Sequence, residues 1–191
     1  MTQAGIEAVA IGASAGAVQA LLHVLPPLPR DFALPILIVV HVPPDRGNAL
    51  VTLFQDRCRL PVKEADDKEP VAGGTIYFAP SDYHLLVEAG RTMALSWDEP
   101  VNHSRPAIDV LFESAADAYG PALAAIVMTG ANQDGAAGLR AVAEAGGIAI
   151  VQDPATAEMP AMPAAALAAC PAARTMTLDV ISSYLMGLPA R

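Results

Sequence analysis

The stretch Ala8-Val9-Ala10-Ile11-Gly12-Ala13-Ser14-Ala15-Gly16 constrains this chain most. Four apolar residues run into small residues with one hydroxyl among them. Apolar residues then recur at helical steps, at Val18, Leu21, Leu22 and Leu25. A strand, a small-residue turn and a helix push a side chain out beyond the strand's carboxyl end. The same geometry aims the first N–H groups of the helix at whatever lies there. Gly12 and Gly16 are expected to let the backbone turn sharply and approach a ligand. Gly12-x-Ser14-x-Gly16 therefore reads as a nucleophile elbow, as a phosphate- or cofactor-holding turn, or as a turn whose serine caps the helix.

The rest of the chain alternates in the same way. Ile6–Gly12 reads as a strand and Gly16–Leu25 as a helix, ended by Pro26-Pro27-Leu28-Pro29. Pro35–His41 is an almost unbroken apolar run, as in a parallel strand covered on both faces. Val42-Pro43-Pro44 stops it, and a helix is expected near Asn48–Arg57. In the middle, Val62–Ala65 and Thr75–Ala79 look like strands. His84–Val87 and Thr92–Leu95 flank Gly90 as a hairpin. This middle part reads as an antiparallel excursion. Pro106 opens a helix through Tyr119 with Ile108, Leu111, Phe112 and Ala115 as its inner stripe. Leu123–Met128 and Ile148–Val151 are strands around a helix at Gly135–Ala145, and helices at Pro163–Ala169 and Leu178–Leu188 finish the chain. The expected fold is α/β: a doubly wound, mostly parallel sheet with helices on both faces and an antiparallel hairpin excursion.

At 191 residues the chain reads as one domain, 1–191, with a core at about 6–187. A net charge of −9 argues against nucleic acid and anionic membrane as partners. No apolar run reaches membrane-spanning length, so an integral membrane protein is not expected. The N-terminus lacks the basic and apolar regions of a signal peptide. Cys58 and Cys170 stand far apart and read as free thiols in a reducing cytosol. Neither the cysteines nor the histidines have a metal-ligand spacing, and neither metal nor cofactor is expected.

In open α/β sheets ligands bind beyond the carboxyl ends of the strands. Ser14 follows the first strand and His41 ends the second. Asp134 and Asp153 each follow a later strand. A hydroxyl, an imidazole and a carboxylate at one sheet edge are the parts of a Ser-His-Asp relay. Spacing leaves Asp134 and Asp153 as alternatives for the acid, either of which also suits a cap or turn. His23 reads as a surface residue and His84 as the start of a hairpin strand. His103, in the loop Pro100–Pro106, stands among polar groups that can meet a substrate. A dinucleotide site fits poorly, because Ser14 and Ala17 replace two glycines and His41 stands where an acidic residue would hold a ribose. The α/β-hydrolase order also fails, since no histidine follows His103.

Several segments together resemble the catalytic domain of the chemotaxis protein-glutamate methylesterases (CheB-type). They are Ile11–Gly16, Val39-Val40-His41-Val42-Pro43, Gly74–Pro80, Arg105–Phe112, Met128-Thr129-Gly130, Asp134–Leu139, Gln152-Asp153-Pro154 and Met162-Pro163. The resemblance runs from about Ile6 to Gly187. It implies Ser14 as nucleophile, His41 as base and Asp134 as the acid, with substrate contacts at Ala15, Asn102, Arg105 and Ala131. It further implies a cytoplasmic hydrolase that removes methyl esters from glutamates on the cytoplasmic domain of methylated chemoreceptors and deamidates glutamines there. A stand-alone catalytic domain, without the receiver domain that usually precedes it in the family, is expected. The sequence departs from the family pattern at Ala15 and Ala17, at Ala131-Asn132, and at Ser104, where the family tends to place a histidine. A catalytically weak homologue that binds receptors is the alternative these departures raise.

Overall fold

The structure is a computed structural model that describes residues 5–41 and 47–188. The Val42-Pro43-Pro44 stop lies outside the described residues. Seven strands form one sheet in the order β3-β4-β2-β1-β7-β8-β9, every neighbouring pair parallel. They are β1 (Ala8–Ala13), β2 (Ile36–Val40), β3 (Val62–Glu64), β4 (Ile76–Phe78), β7 (Leu123–Val127), β8 (Ile148–Gln152) and β9 (Arg174–Met176). A separate hairpin pairs β5 (His84–Val87) with β6 (Met93–Ser96) antiparallel. The helices are α1 (Ala17–Val24), α2 (Gly47–Gln55), α3 (Ile108–Tyr119), α4 (Ala136–Glu144), α5 (Ala161–Ala169) and α6 (Leu178–Met186).

The doubly wound sheet expected from the alternation is present, and so is the hairpin. The excursion is narrower than the sequence reads. Val62–Glu64 and Ile76–Phe78 belong to the main sheet in parallel, and only β5 and β6 leave it. Three-residue strands carry too little periodicity to reveal their direction. For the same reason β9 is not foreseen.

Side chains alternate across β1, which is buried on both faces. Val9, Ile11 and Ala13 join a core with Leu21 and Val24 of α1, Phe54 of α2, and Ile181 and Leu185 of α6. Ala8 and Ala10 face the other core, with Ile108 and Phe112 of α3, Leu139 of α4, Met162 of α5 and Leu85 of the hairpin. Burial of both faces explains why β1, β2 and β7 read as unbroken apolar runs.

Small residues let α3 lie against the sheet. A Cβ built at Gly12 would stand 2.3 Å from Ile108 Cγ2, well inside contact distance. Gly12 is therefore a packing glycine within β1. It is Gly16, at φ +82°, that makes the turn into α1. We expect Gly12→Ala to destabilise the protein by about 1–3 kcal/mol through overpacking. Ile108→Ala in the same chain should recover part of that loss. Urea unfolding of the two single variants and the double variant measures the coupling, and additive effects would contradict direct contact.

Candidate active site

The chain runs outward from β1 in one direction through β2 and in the other through β7, so the winding reverses between β1 and β7. Such a reversal opens a crevice at the strands' carboxyl ends. The registers place the candidate residues around it. Ala13 pairs with Val40, and the His41 N–H donates to Ala13 O at 3.3 Å, so Ser14 and His41 follow neighbouring strand ends. Adjacent strands lie about 4.8 Å apart. On the other side the Ser14 N–H donates to Thr129 O at 2.9 Å. Thr129 Oγ1 donates to Ala15 O at 2.9 Å, which joins the turn after β1 to the turn after β7.

Asp134, in that second turn, is fully buried. His41 Nε2 donates to its Oδ2 at 2.8 Å. The N–H of Ile108 donates to Oδ2 at 2.6 Å, and the N–H of Asp109 to Oδ1 at 3.1 Å. Asn102 Nδ2 and the Gly135 N–H reach Oδ1 at 3.0 Å each. Ala107, the N-cap residue of α3, has no capping side chain. Asp134 takes that office from a distant turn, placing a carboxylate at the helix's positive end. Burial pushes its carboxyl up. The hydrogen bonds from His41, Ile108, Asn102 and Asp109 outweigh burial and hold it below the usual carboxylate range. An ionised carboxylate only accepts, so a hydrogen lies on Nε2, which leaves Nδ1 as the ring nitrogen facing away from Asp134.

Ser14 is half-buried, and its hydroxyl makes no hydrogen bond within the described residues. It does not cap α1 through its side chain. Its carbonyl accepts from the Ala17 N–H at 2.9 Å, and Gly16 is the N-cap. Nor is the turn a strained elbow, because Ser14 is not among the residues with positive φ. Asp153 stays away from the imidazole. It caps the 3₁₀ turn Pro154–Thr156 by accepting from the Ala155 N–H at 2.9 Å. Of the two carboxylates the sequence leaves open, Asp134 is the one that meets His41.

The four expected substrate contacts divide into two pairs. Ala15 and Ala131 are exposed at the turns after β1 and β7, and their N–H groups have no acceptor within the described residues. Arg105 is engaged inside the protein. Its Nε and Nη2 donate to Asp82 Oδ1 at 3.1 and 2.8 Å, and its Nη1 reaches the carbonyls of Trp97 and Asp98. Its guanidinium also lies over the Trp97 ring, 4.8 Å from the centroid. Arg105 straps a loop rather than offering a free cation. Both donor contacts of Asn102 Nδ2 go to carboxylates, Asp109 Oδ2 at 2.8 Å and Asp134 Oδ1.

The remaining histidines have settled positions. His103 is exposed in the loop. His23 contacts Asp179 on the surface. His84 is buried and receives the Ala107 N–H at Nδ1, 3.1 Å away, bracing the start of α3. The sequence reading misses that bracing, and it misses Asp109. Asp109 is a buried carboxylate on the same helix face as Phe112, and its Oδ1 accepts the Gly138 N–H at 2.7 Å. A charged residue on an apolar stripe is the signal that points to it. Among the described residues no three His, Cys, Asp or Glu side chains gather as a metal site. No helix among them is long and apolar enough to cross a membrane.

Comparison with known proteins bears on the same region. Residues 9–185 match the family model described as CheB methylesterase. A Leptospira interrogans protein, whose name assigns the activity provisionally, is 42% identical over 95% of this chain and 94% of its own length. Protein-glutamate methylesterase/protein-glutamine glutaminase of Trichodesmium erythraeum is 40% identical over 83% of this chain, and that of Nocardioides sp. is 40% identical over 95%. The chain spans 46% and 50% of those two proteins. The crystal structure of the Thermotoga maritima CheB methylesterase catalytic domain superposes with a TM-score of 0.92. It is 32% identical and covers 97% of this chain and 100% of that one. With one sheet order, one set of strand-end motifs and this breadth of match, the chain belongs to the CheB methylesterase family.

Proposed function

We propose that this protein hydrolyses glutamate methyl esters on the cytoplasmic helices of chemoreceptors, with Ser14, His41 and Asp134 as its triad. The observation that carries the reading is the hydrogen bond from His41 Nε2 to the buried, ionised Asp134, with Ser14 following the neighbouring strand end. The relatives' names supply the substrate class, glutamate methyl ester with glutamine as the second substrate. A cytoplasmic location and one catalytic domain over 1–191 go with this reading.

The chemistry follows from the geometry. His41 Nδ1 takes the proton of Ser14 Oγ as Oγ bonds to the ester carbonyl carbon. The carbonyl oxygen becomes an oxyanion, and the unpaired N–H groups of Ala15 and Ala131 receive it. Asp134 stabilises the imidazolium and keeps the ring oriented. The intermediate collapses, the C–OCH₃ bond breaks, and His41 returns the proton to the leaving oxygen as methanol. A water then gives its proton to Nδ1 and attacks the acyl carbon. Breaking the Ser14 ester bond restores the hydroxyl and frees the glutamate. With glutamine the leaving group is ammonia. A backbone oxyanion site does not depend on side-chain identity, so alanine at 15 and 131 leaves the two donors in place.

Methanol release from methylated receptor fragments tests the reading. Ser14→Ala should lower the rate by roughly 10³-fold or more with the fold unchanged. Retained release would remove Ser14 as nucleophile. Asp134→Asn should lower kcat by about 10⁴-fold, because the ring loses its enforced tautomer, whereas Asp153→Asn should stay within a few-fold of wild type. The opposite ranking would reassign the acid.

Asp134→Asn should also lower stability by about 1–3 kcal/mol at neutral pH, since the carboxylate satisfies buried donors. The folded-state pKa of Asp134 is depressed, so its stabilising contribution is present above the unfolded value near about 4 and is lost as pH falls below it. Asp109 has the opposite sign, because burial raises it. Thermal unfolding at pH 6 and pH 3 should therefore show a smaller acid loss in Asp134→Asn than in wild type.

A further inference from the structure

Asn102 sits where its residue type and backbone are hard to explain by the loop alone. Val101 and Ser104 form a two-residue hairpin bridge, with Val101 N–H to Ser104 O at 3.1 Å and Ser104 N–H to Val101 O at 2.9 Å. The turn residues Asn102 and His103 are both left-handed, at φ +51° and +62°. Turns of this type favour glycine after asparagine, and a histidine there is strained. The strain is held in place by Arg105, whose guanidinium grips Asp82 and two carbonyls of the same loop. The outcome is a half-buried amide delivered between two buried carboxylates.

Those carboxylates belong to different elements. Asp134 follows β7, and Asp109 lies in the first turn of α3. Each raises the cost of ionising the other. Asp109 accepts at both oxygens, from the Gly138 N–H and from Asn102. Asp134 accepts from His41 at Oδ2 and from Asn102 at Oδ1. Nδ2 carries two hydrogens on one neutral atom and serves one oxygen of each carboxylate. The reversed amide would set an oxygen against two acceptors.

We infer that Asn102 is a positioning residue, whose amide bridges Asp109 and Asp134 and, together with the backbone N–H donors, sets the Asp134 carboxylate plane in line with His41 Nε2. The inference rests on the triad reading above. It assigns Asn102 to the acid rather than to the substrate. Loss of the amide removes one of the three donors on Asp134 Oδ1 and leaves two carboxylates facing each other without the amide between them, so their repulsion shifts Asp134 against its backbone donors. A shift of Asp134 carries the imidazole with it, and an error of about 1 Å in such a group can lower a rate by 10²-fold.

Two variants separate this role from space-filling. Asn102→Gly keeps the left-handed turn, which glycine adopts freely, and removes only the amide. Asn102→Asp keeps the shape and converts both donors to acceptors. The positioning role makes kcat for methanol release fall at least tenfold in Asn102→Gly and further in Asn102→Asp, with KM within about threefold. A space-filling role reverses that order. The rate at which a fluorophosphonate labels Ser14 should fall in parallel. The His41 Nε2–H proton resonance should lie downfield in wild type and should move or exchange away in both variants, and that readout needs no substrate. Wild type that is labelled at Ser14 yet releases no methanol would overturn the receptor-ester reading while labelling and the resonance still decide the role of Asn102. Variants matching wild type in labelling rate and resonance would overturn the role itself.

Discussion

Five donors on one buried carboxylate hold this site together. Asp134 receives a ring nitrogen, a side-chain amide and three backbone N–H groups. Two of the backbone donors open α3, a helix with no cap of its own. A buried charge is tolerated only when its lone pairs are matched, and here the matching groups come from β2's end, the Asn102 loop, α3 and the turn itself. The carboxylate thus joins four segments of the chain. It carries part of the fold's stability through the same bonds that orient the imidazole.

The sheet explains why those segments meet. β1 lies at the centre of the sheet, and the chain winds away from it on both sides. Hydrophobic runs and strand–helix alternation carry this much plainly, because a strand buried on both faces must be apolar throughout. Where the elements shrink to three residues the pattern fades. β3 and β4 look like parts of the excursion until pairing places β4 beside β2 and β3 beside β4, and β9 has no signature at all. Pairing partners of short strands are chosen by tertiary packing, which local sequence does not encode.

The site was legible in its chemistry and less so in its supports. Ser14, His41 and the two carboxylates are visible as polar residues at strand ends. Choosing Asp134 over Asp153 takes either the family resemblance or the hydrogen bond to His41. Gly12 looked like a turn residue and is instead the surface against which Ile108 packs, a demand set by a helix nearly a hundred residues away. Arg105 and Asn102 looked like arms for a substrate. Their partners, Asp82 for the one and two carboxylates for the other, are remote in sequence and give no local sign of the pairing.

The distance along the chain between imidazole and carboxylate has a consequence for how such an enzyme comes into being. His41 is made 93 residues before Asp134. On the ribosome the hydroxyl and the ring emerge early, with no anion to set the ring's tautomer and no partner for the outer edge of β1 until β7 follows. A nascent or truncated chain therefore carries Ser14 and His41 without the carboxylate that orients the ring. For the proposed triad, activity waits until β7 closes the sheet around its central strand and the turn beyond it delivers Asp134.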